Sequence, residues 1–204
     1  MTPEFFLESP LKGALKLLPA AMDSPAARAM VIAICLQESQ LRFRRQVGGP
    51  ARGYAQFEQG GGVRGVLAHP TSMTHAKVVC ASLDLQPTVT AVYPALEQND
   101  VLVAAFARLL LWTLPDALPT KDNPEVGWQQ YIAAWRPGKP HRETWDAYYA
   151  QAWAMVEENA KQERIEAQAV EVRLAAIQLI NGLNALRGVV ESTVVDEALP
   201  FPIA

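Results

Sequence analysis

Two apolar runs at helical spacing constrain this fold most. The first follows Ser24-Pro25 and reads AARAMVIAICLQESQ, and the second follows Asn99-Asp100 and reads VLVAAFARLLLWTL. Serine ahead of proline is a helix start signal, because the hydroxyl caps the first turn and proline fits its first position. Pro115 and Pro119 end the second run. The runs predict two core helices in a chain that is mainly α-helical.

The rest of the chain is also predicted to be helical, apart from one irregular segment. Apolar periodicity predicts further helices over residues 3–20, 63–68, 72–85 and 124–135, and from Thr144 to about residue 187. Gly48-Gly49-Pro50 and Gly60-Gly61-Gly62 frame the irregular segment, where we expect a loop or a small hairpin.

Composition divides the chain near residue 157. The chain has 204 residues, of which 50% are apolar and 19% are charged, and this suits one folded domain with an appendage. Aromatic residues all but end at Trp153, and residues 172–190 are apolar with three amides. We therefore predict a domain over residues 1–156. Residues 157–204 are predicted to form a C-terminal helical arm with an extended tail.

Charge, cysteines and histidines exclude several classes of function. A formal net charge of −3 argues against a general phosphate-binding surface, so no nucleic-acid partner is predicted. Cys35 and Cys80 are expected to be buried free thiols. His69, His75 and His141 lack metal-ligand spacing. The sequence therefore predicts no metal site and no cofactor.

The first residues do not resemble a secretory signal. Glu4 and Glu8 stand where such a signal carries basic residues. Elsewhere no uncharged apolar run reaches the length of a membrane span. We expect a product made in the cytoplasm without a signal peptide and without a transmembrane segment.

Glu38 is the candidate catalytic residue. It ends an apolar helix and precedes a polar stretch rich in glycine and arginine. A carboxyl group half-buried there has its charged form disfavoured, so its pKa rises and it becomes a competent general acid. The alternative is a solvated carboxylate in the last helical turn, where the helix dipole disfavours an anion.

Four segments in order resemble the motifs of soluble lytic transglycosylases, a family of the lysozyme-like superfamily. Glu38-Ser39 resembles the family's Glu-Ser motif, and Gly53-Tyr54-Ala55-Gln56 resembles its Gly-Leu-Met-Gln segment. Asn99 to Leu114 resembles the helix that follows, and Tyr131 to Gly138 resembles the Ala-Ala-Tyr-Asn-x-Gly motif. The resemblance covers roughly residues 25–140 and implies a lysozyme-like helical domain.

The resemblance implies cleavage of peptidoglycan glycan strands with one acid. Glu38 is expected to protonate the leaving oxygen while the substrate's N-acetyl group stabilises the developing cation. Glu38 then acts as base and draws the sugar's 6-hydroxyl onto the anomeric carbon, which gives a 1,6-anhydro product. The substrate-binding residues that the resemblance implies are Ser39, Gly53, Tyr54, Gln56, Tyr131 and Trp135.

The implied binding residues have chemical reasons and ordinary alternatives. Gln56 carries a donor and an acceptor for an acetamido group or a hydroxyl, or it caps a loop. Tyr54, Tyr131 and Trp135 offer flat faces to sugar rings, or they fill the core. Gly53 allows close approach of the backbone or a positive φ, or it is an ordinary turn glycine.

Other functions stay open at this point. Trp135-Arg136 stands where the family has Tyr-Asn, which leaves room for a catalytically inactive, structural descendant. A two-carboxylate muramidase needs a second acid across the scissile bond. The candidates for that acid are Glu58, Asp84, Glu97 and Asp100.

The context that fits a wall-cleaving enzyme with a helical arm is a bacteriophage. In that context the protein is either a free endolysin or a virion-associated component that opens the wall during genome delivery. The arm favours the virion-associated component. The apolar surface of residues 172–190 is too wide for a solvated helix, so we expect the arm to pack on copies of itself or on another virion protein. Packing on the protein's own domain and binding to a membrane are the alternatives.

Overall fold

The computed structural model describes the backbone of residues 1–196 and the side chains of residues 1–187. The prediction of a mainly α-helical chain is confirmed. The helices are α1 (Pro3–Phe6), α2 (Lys12–Lys16), α3 (Pro25–Ser39), α4 (Arg64–Ala68), α5 (Met73–Ser82), α6 (Val89–Ala95), α7 (Asp100–Trp112), α8 (Pro124–Trp135) and α9 (Arg142–Asp196). Two π-helical turns, Leu7–Leu11 and Gln59–Val63, and a 3-10 turn, Ala20–Met22, complete the set. The predicted extended tail lies outside the described residues.

The chain divides into two compact units, Met1–Glu158 and Asn159–Ala204. In the first unit, the opening turns of α9 bury Trp145, Tyr149 and Val156. In the second unit, the large apolar side chains between residues 165 and 186 are exposed. Within the described residues, no helix combines the length and the apolar character needed to cross a bilayer.

Helices α3 and α7 form the centre of the first unit. Every residue from Ala29 to Leu36 is buried, and so is every residue from Leu102 to Leu111. A helix surrounded by core is apolar on all sides, which explains why these two runs are nearly continuous. Their start signals act as predicted, since Ser24 Oγ accepts from the Ala27 N–H and Asn99 Oδ1 from the Leu102 N–H.

Several helix boundaries differ from the sequence prediction, and one helix was not predicted. Helix α5 covers Met73–Ser82 of the predicted 72–85, and α9 runs to Asp196, past the predicted end near residue 187. The N-terminal helix, predicted over residues 3–20, ends at Lys16. It passes through a π-helical turn at Pro10, because proline lacks the N–H that an α-helical ladder needs. Helix α6 was not predicted, because Pro94 stands inside it, although Thr88 caps its first turn. Helix α9 begins at Arg142, two residues before the predicted start.

The irregular segment after α3 is a loop with hairpin-like pairing. Isolated antiparallel bridges join Arg45 to Arg52 and Arg52 to Phe57. The Arg52 N–H donates to the Phe57 carbonyl at 2.9 Å, and the Phe57 N–H donates back at 2.8 Å. These bonds turn the loop towards the end of α3, where the candidate catalytic residue lies.

Candidate active site

A cleft of about 610 Å³ opens beside the C-terminal end of α3. Its walls come from that helix end, from the paired loop, from Leu110 of α7 and from residues 131–141. The structure places Glu38, Gln56, Tyr131 and Trp135 in this lining, and Ser39, Gly53 and Tyr54 outside it. Four of the seven residues suggested by the sequence therefore share one cleft.

Glu38 lies half-buried in the cleft and has a fixed hydrogen-bond partner. The Tyr131 hydroxyl donates to Glu38 Oε1 at 2.7 Å. Burial raises the pKa of Glu38 to about 7, the Tyr131 hydrogen bond opposes that rise, and the negative charge of Glu58 adds to it. Both forms of the carboxyl group are therefore populated near neutral pH, as an acid that must later act as a base requires.

Tyr131 is held in place by other aromatic rings. Its ring stacks on Trp145 with centroids 5.3 Å apart and planes 13° apart, and it packs at a tilt against Trp128. The side chain is buried among these rings, so its face is not open to a sugar. The structure assigns Tyr131 to the positioning of Glu38, in place of the stacking suggested by the sequence.

Trp135 and Gln56 are the two implied binding residues that keep a group facing the cleft. Trp135 is half-buried, and its indole N–H donates to the Ala55 carbonyl at 2.8 Å, which fixes the ring beside the cleft. Gln56 Nε2 donates to the carbonyls of Phe43 and Gly53. The donor side of the Gln56 amide is therefore used by the loop, and its Oε1 is the acceptor that remains for a ligand.

Ser39 and Tyr54 are buried and connect the helix end to the loop. The Ser39 hydroxyl donates to the Tyr54 carbonyl at 2.7 Å and accepts from the Leu41 N–H. The Tyr54 ring packs edge-on against Phe6 and beneath the Arg44 guanidinium. Neither residue is placed to bind substrate as the resemblance implied, because each is enclosed by the core.

Gly53 is required by packing and by backbone conformation. Its φ is +71°, and a Cβ there would lie 2.4 Å from Val103 Cγ2 and 2.9 Å from the Leu96 carbonyl oxygen. A side chain therefore has no room against α7. Gly53 lets the loop approach the core, and it lies outside the cleft lining.

Left-handed backbone conformations concentrate around the cleft. Gln40 and Leu41 follow directly after the Glu38-Ser39 pair, and Gln56 and Arg136 line the cleft, all with φ between 48° and 55°. A residue with a side chain costs about 1–2 kcal/mol in this region. Such strain is typical of functional sites. The remaining non-glycine example within residues 1–196, Asp84, lies outside the cleft.

Glu58 is the one candidate second acid that lines the cleft. Asp100 instead accepts two hydrogen bonds from the Arg44 guanidinium, at 2.6 and 3.0 Å. Glu97 pairs with Arg52 at 3.0 Å. These two carboxylates stabilise the loop that carries Gly53 and Gln56.

The sequence reasoning missed the basic end of the cleft. Arg136, Lys139 and His141 line it, directly after α8. The signal was present, since these residues follow the segment that resembles the last family motif. These residues line the same cleft as Glu38 and Glu58.

Comparison of the chain with protein-family models, with curated proteins and with solved structures found no match. Across the described residues, no group of three or more His, Cys, Asp or Glu side chains is placed to hold a metal ion.

Proposed function

We propose that this chain is a lytic transglycosylase with a lysozyme-like fold that cleaves the glycan strands of peptidoglycan. The observation that carries the proposal is Glu38, half-buried at a cleft, with its pKa raised to about 7 and an O–H donor fixed beside it. A helical fold and four motif-like segments in the family's order support it.

Glu38 acts first as acid and then as base. In its protonated form it gives its proton to the glycosidic oxygen, the bond to the anomeric carbon breaks, and the electron pair leaves with that oxygen. The N-acetyl group of the substrate stabilises the cation. The Glu38 carboxylate then takes the proton of the sugar's 6-hydroxyl as that oxygen bonds to the anomeric carbon. The anhydro product forms without consuming water, and Glu38 ends protonated.

The surroundings of Glu38 suit both steps. After the first step and before the second, Glu38 is a carboxylate. The Tyr131 hydroxyl stabilises this carboxylate through its hydrogen bond to Oε1. Trp135 presents part of an aromatic ring to a sugar, and Gln56 Oε1 accepts from an acetamido N–H. Arg136 and Lys139 place positive charge where the stem-peptide carboxylates of peptidoglycan can pair with it.

A two-carboxylate muramidase is the second candidate, and Glu58 favours it. Glu58 lines the same cleft, and its charge raises the pKa of Glu38. A hydrolase uses a second carboxylate to activate water or to attack the sugar. In that reaction the product is a reducing end, one water heavier than the anhydro product.

Digestion of purified peptidoglycan followed by mass spectrometry separates these functions. We expect anhydromuramic ends from the wild-type chain, loss of nearly all cleavage with Glu38→Gln, and retained cleavage with Glu58→Gln. Glu4→Gln, at an exposed position away from the cleft, is the matched control. Reducing ends that disappear with Glu58→Gln identify the muramidase. If the wild-type chain cleaves nothing, both enzymatic proposals fail, and the alternative of a catalytically inactive, structural lysozyme-like protein is favoured.

The arm supports a virion-associated role over a free endolysin. In the second unit, Ile165, Val172, Leu179 and Leu186 recur every seven residues, and each is more than half exposed. Ala169, Ala176 and Leu183 alternate with them at spacings of four and three residues, the pattern of a coiled-coil stripe. We propose that the arm assembles with copies of itself in the virion.

Truncation after Glu158 tests the arm and leaves the first unit whole. Buried Trp153 and Val156 and the ion pair between Lys121 and Glu157 all remain in the shortened chain. It should stay folded, monomeric and able to cleave peptidoglycan, while the full chain self-associates in light scattering. If the truncated chain unfolds or precipitates, the arm belongs to the core.

A pair of substitutions in the full chain tests the coiled-coil stripe itself. Leu179→Asn places an amide on the stripe and should weaken self-association, since this position packs against a partner helix. Glu166→Gln, at an exposed position outside the stripe, should leave it unchanged. Equal self-association of both variants would show that another surface holds the copies together.

A further inference from the structure

A second cavity, of about 600 Å³, lies beside the C-terminal half of α7. It shares no lining residue with the cleft that holds Glu38. Much of its wall is apolar, with Leu111, Trp112, Leu114 and Leu118 contributing. A volume of this size is typical of sites for small organic ligands.

Arg108 gives this cavity its chemical character. Its side chain lines the cavity although the residue is only 3% exposed. Nε donates to the Met22 carbonyl at 2.7 Å, and the guanidinium carbon lies 4.9 Å from the centroid of the Trp112 ring. Nη1 is buried and has no hydrogen-bond acceptor among the described residues. One donor of a buried cation is therefore left unsatisfied.

Asp23, the acid whose charge acts on Arg108, does not satisfy this donor. Both carboxylate oxygens of Asp23 accept from the Arg28 guanidinium, at 2.8 and 2.9 Å. Burial lowers the pKa of Arg108 to about 10, which still leaves the side chain charged at neutral pH. Because a buried unpaired charge is costly, the site favours an anion that lies in the cavity beside the Arg108 side chain, which forms part of its wall.

The other groups of the cavity narrow the class of anion. Asp116 also lines it, so a ligand with two negative charges meets a like charge. The apolar wall suits a ligand with a hydrocarbon body. Ser24 lines the cavity as well, and while its oxygen caps α3 by accepting from the Ala27 N–H, its hydroxyl proton is a further donor.

We propose that this cavity is a binding site for a monocarboxylate with an apolar body, held by a charge-assisted hydrogen bond from Arg108. Such a bond is stronger than one between neutral groups. The carboxylate is carried either by a small free acid or by the C-terminus of an apolar peptide. Both have the same chemistry at Arg108, and they differ in the length of the body that the cavity must accept.

Titration of the full chain with matched probes tests the proposal, with the Arg108 Nε–H and Trp112 indole N–H resonances as readouts. Hexanoate should bind at least about tenfold more tightly than hexanol, because only the acid pairs with the guanidinium. N-acetyl-trileucine and its C-terminal amide form the second pair of probes. Binding of the peptide acid identifies a peptide source, and binding of hexanoate alone identifies a small-molecule source.

Substitutions provide the second measurement. Arg108→Met keeps the length of the side chain and removes its charge, and it should weaken hexanoate binding at least about tenfold. Arg64→Met, at an exposed position outside the cavity, should leave binding unchanged. The proposal is overturned if hexanoate and hexanol bind equally, if neither acid binds, or if Arg108→Met binds hexanoate as tightly as the wild-type chain.

Discussion

The cleft and the second cavity each hold an ionisable side chain that is largely removed from solvent, and they differ in how its charge is relieved. Glu38 becomes neutral by taking a proton, because burial raises its pKa to about 7. Arg108 keeps its charge, because burial lowers its pKa only to about 10. A carboxyl group that changes charge near neutral pH suits proton transfer, and a permanent buried cation suits the binding of an anion.

The largest expected difference between the two regions is in the pH dependence of stability. The ordinary pKa of a glutamate is 4.5, and that of Glu38 in the folded chain is about 7. The folded state therefore holds this proton more tightly than the unfolded state. The resulting stabilisation is complete below pH 4.5 and is lost as the pH rises to 7.

Glu38→Gln removes this dependence, because glutamine does not titrate. Relative to the wild-type chain, the variant should gain about 1.4 kcal/mol of unfolding free energy per pH unit across that window, reaching about 3 kcal/mol by pH 8. Urea unfolding at pH 4 to 8 measures the gain, with Glu4→Gln as the control expected to follow the wild type. If the unfolding free energies of Glu38→Gln and the wild type change with pH in parallel, the pKa of Glu38 is the same in the folded and the unfolded chain.

Tyr131→Phe removes the hydroxyl group that donates to Glu38 and so tests how this hydrogen bond affects the pKa of Glu38. The hydrogen bond from Tyr131 lowers the pKa of Glu38, so its loss should raise that pKa further and cost about 1 kcal/mol of stability. The pH above which cleavage declines should therefore move upward. Tyr148→Phe, outside the cleft lining, is the control. A decline that stays in place or moves to lower pH would contradict the role of Tyr131.

The smallest pH dependence of stability is expected at Arg108. Arg108→Met loses the hydrogen bond to Met22 and also removes the unsatisfied Nη1, and these two changes oppose each other. Burial of the cation, which lowers the pKa of Arg108 from 12.5 to about 10, costs stability that the methionine variant recovers, so we expect a net gain in unfolding free energy. It should be the same from pH 5 to pH 9, because Arg108 does not titrate there. A pH-dependent change measured by urea unfolding would break the contrast with Glu38.

Much of the helical framework could be predicted from the sequence, because its signals are local. The caps at Ser24 and Asn99 and the apolar runs after them define α3 and α7. Helix α6 was missed because Pro94, which ordinarily argues against a helix, stands near its end. The π-helical turn at Pro10 was missed because periodicity does not distinguish it from an α-helical turn.

The candidate site could be predicted only in part, because its contacts join distant segments. The sequence indicated Glu38 by its position at a helix end, but Tyr131, its hydrogen-bond partner, is 93 residues away. Whether a tyrosine faces a ligand or the core depends on that packing, and Tyr54 is enclosed where the sequence suggested a sugar contact. Arg108 was not identified from the sequence, although it is the only charged residue in the apolar run VLVAAFARLLLWTL.

The central claim is that Glu38 is held as an acid near neutral pH, and carboxyl NMR tests it most directly. The side-chain carbonyl resonance of Glu38, assigned by its absence in Glu38→Gln, is followed from pH 3 to pH 9. A midpoint near pH 7 is expected, well above the ordinary value of 4.5. A midpoint at or below 4.5 would mean that Glu38 is a solvated carboxylate at the end of α3, and would contradict its proposed role as the acid.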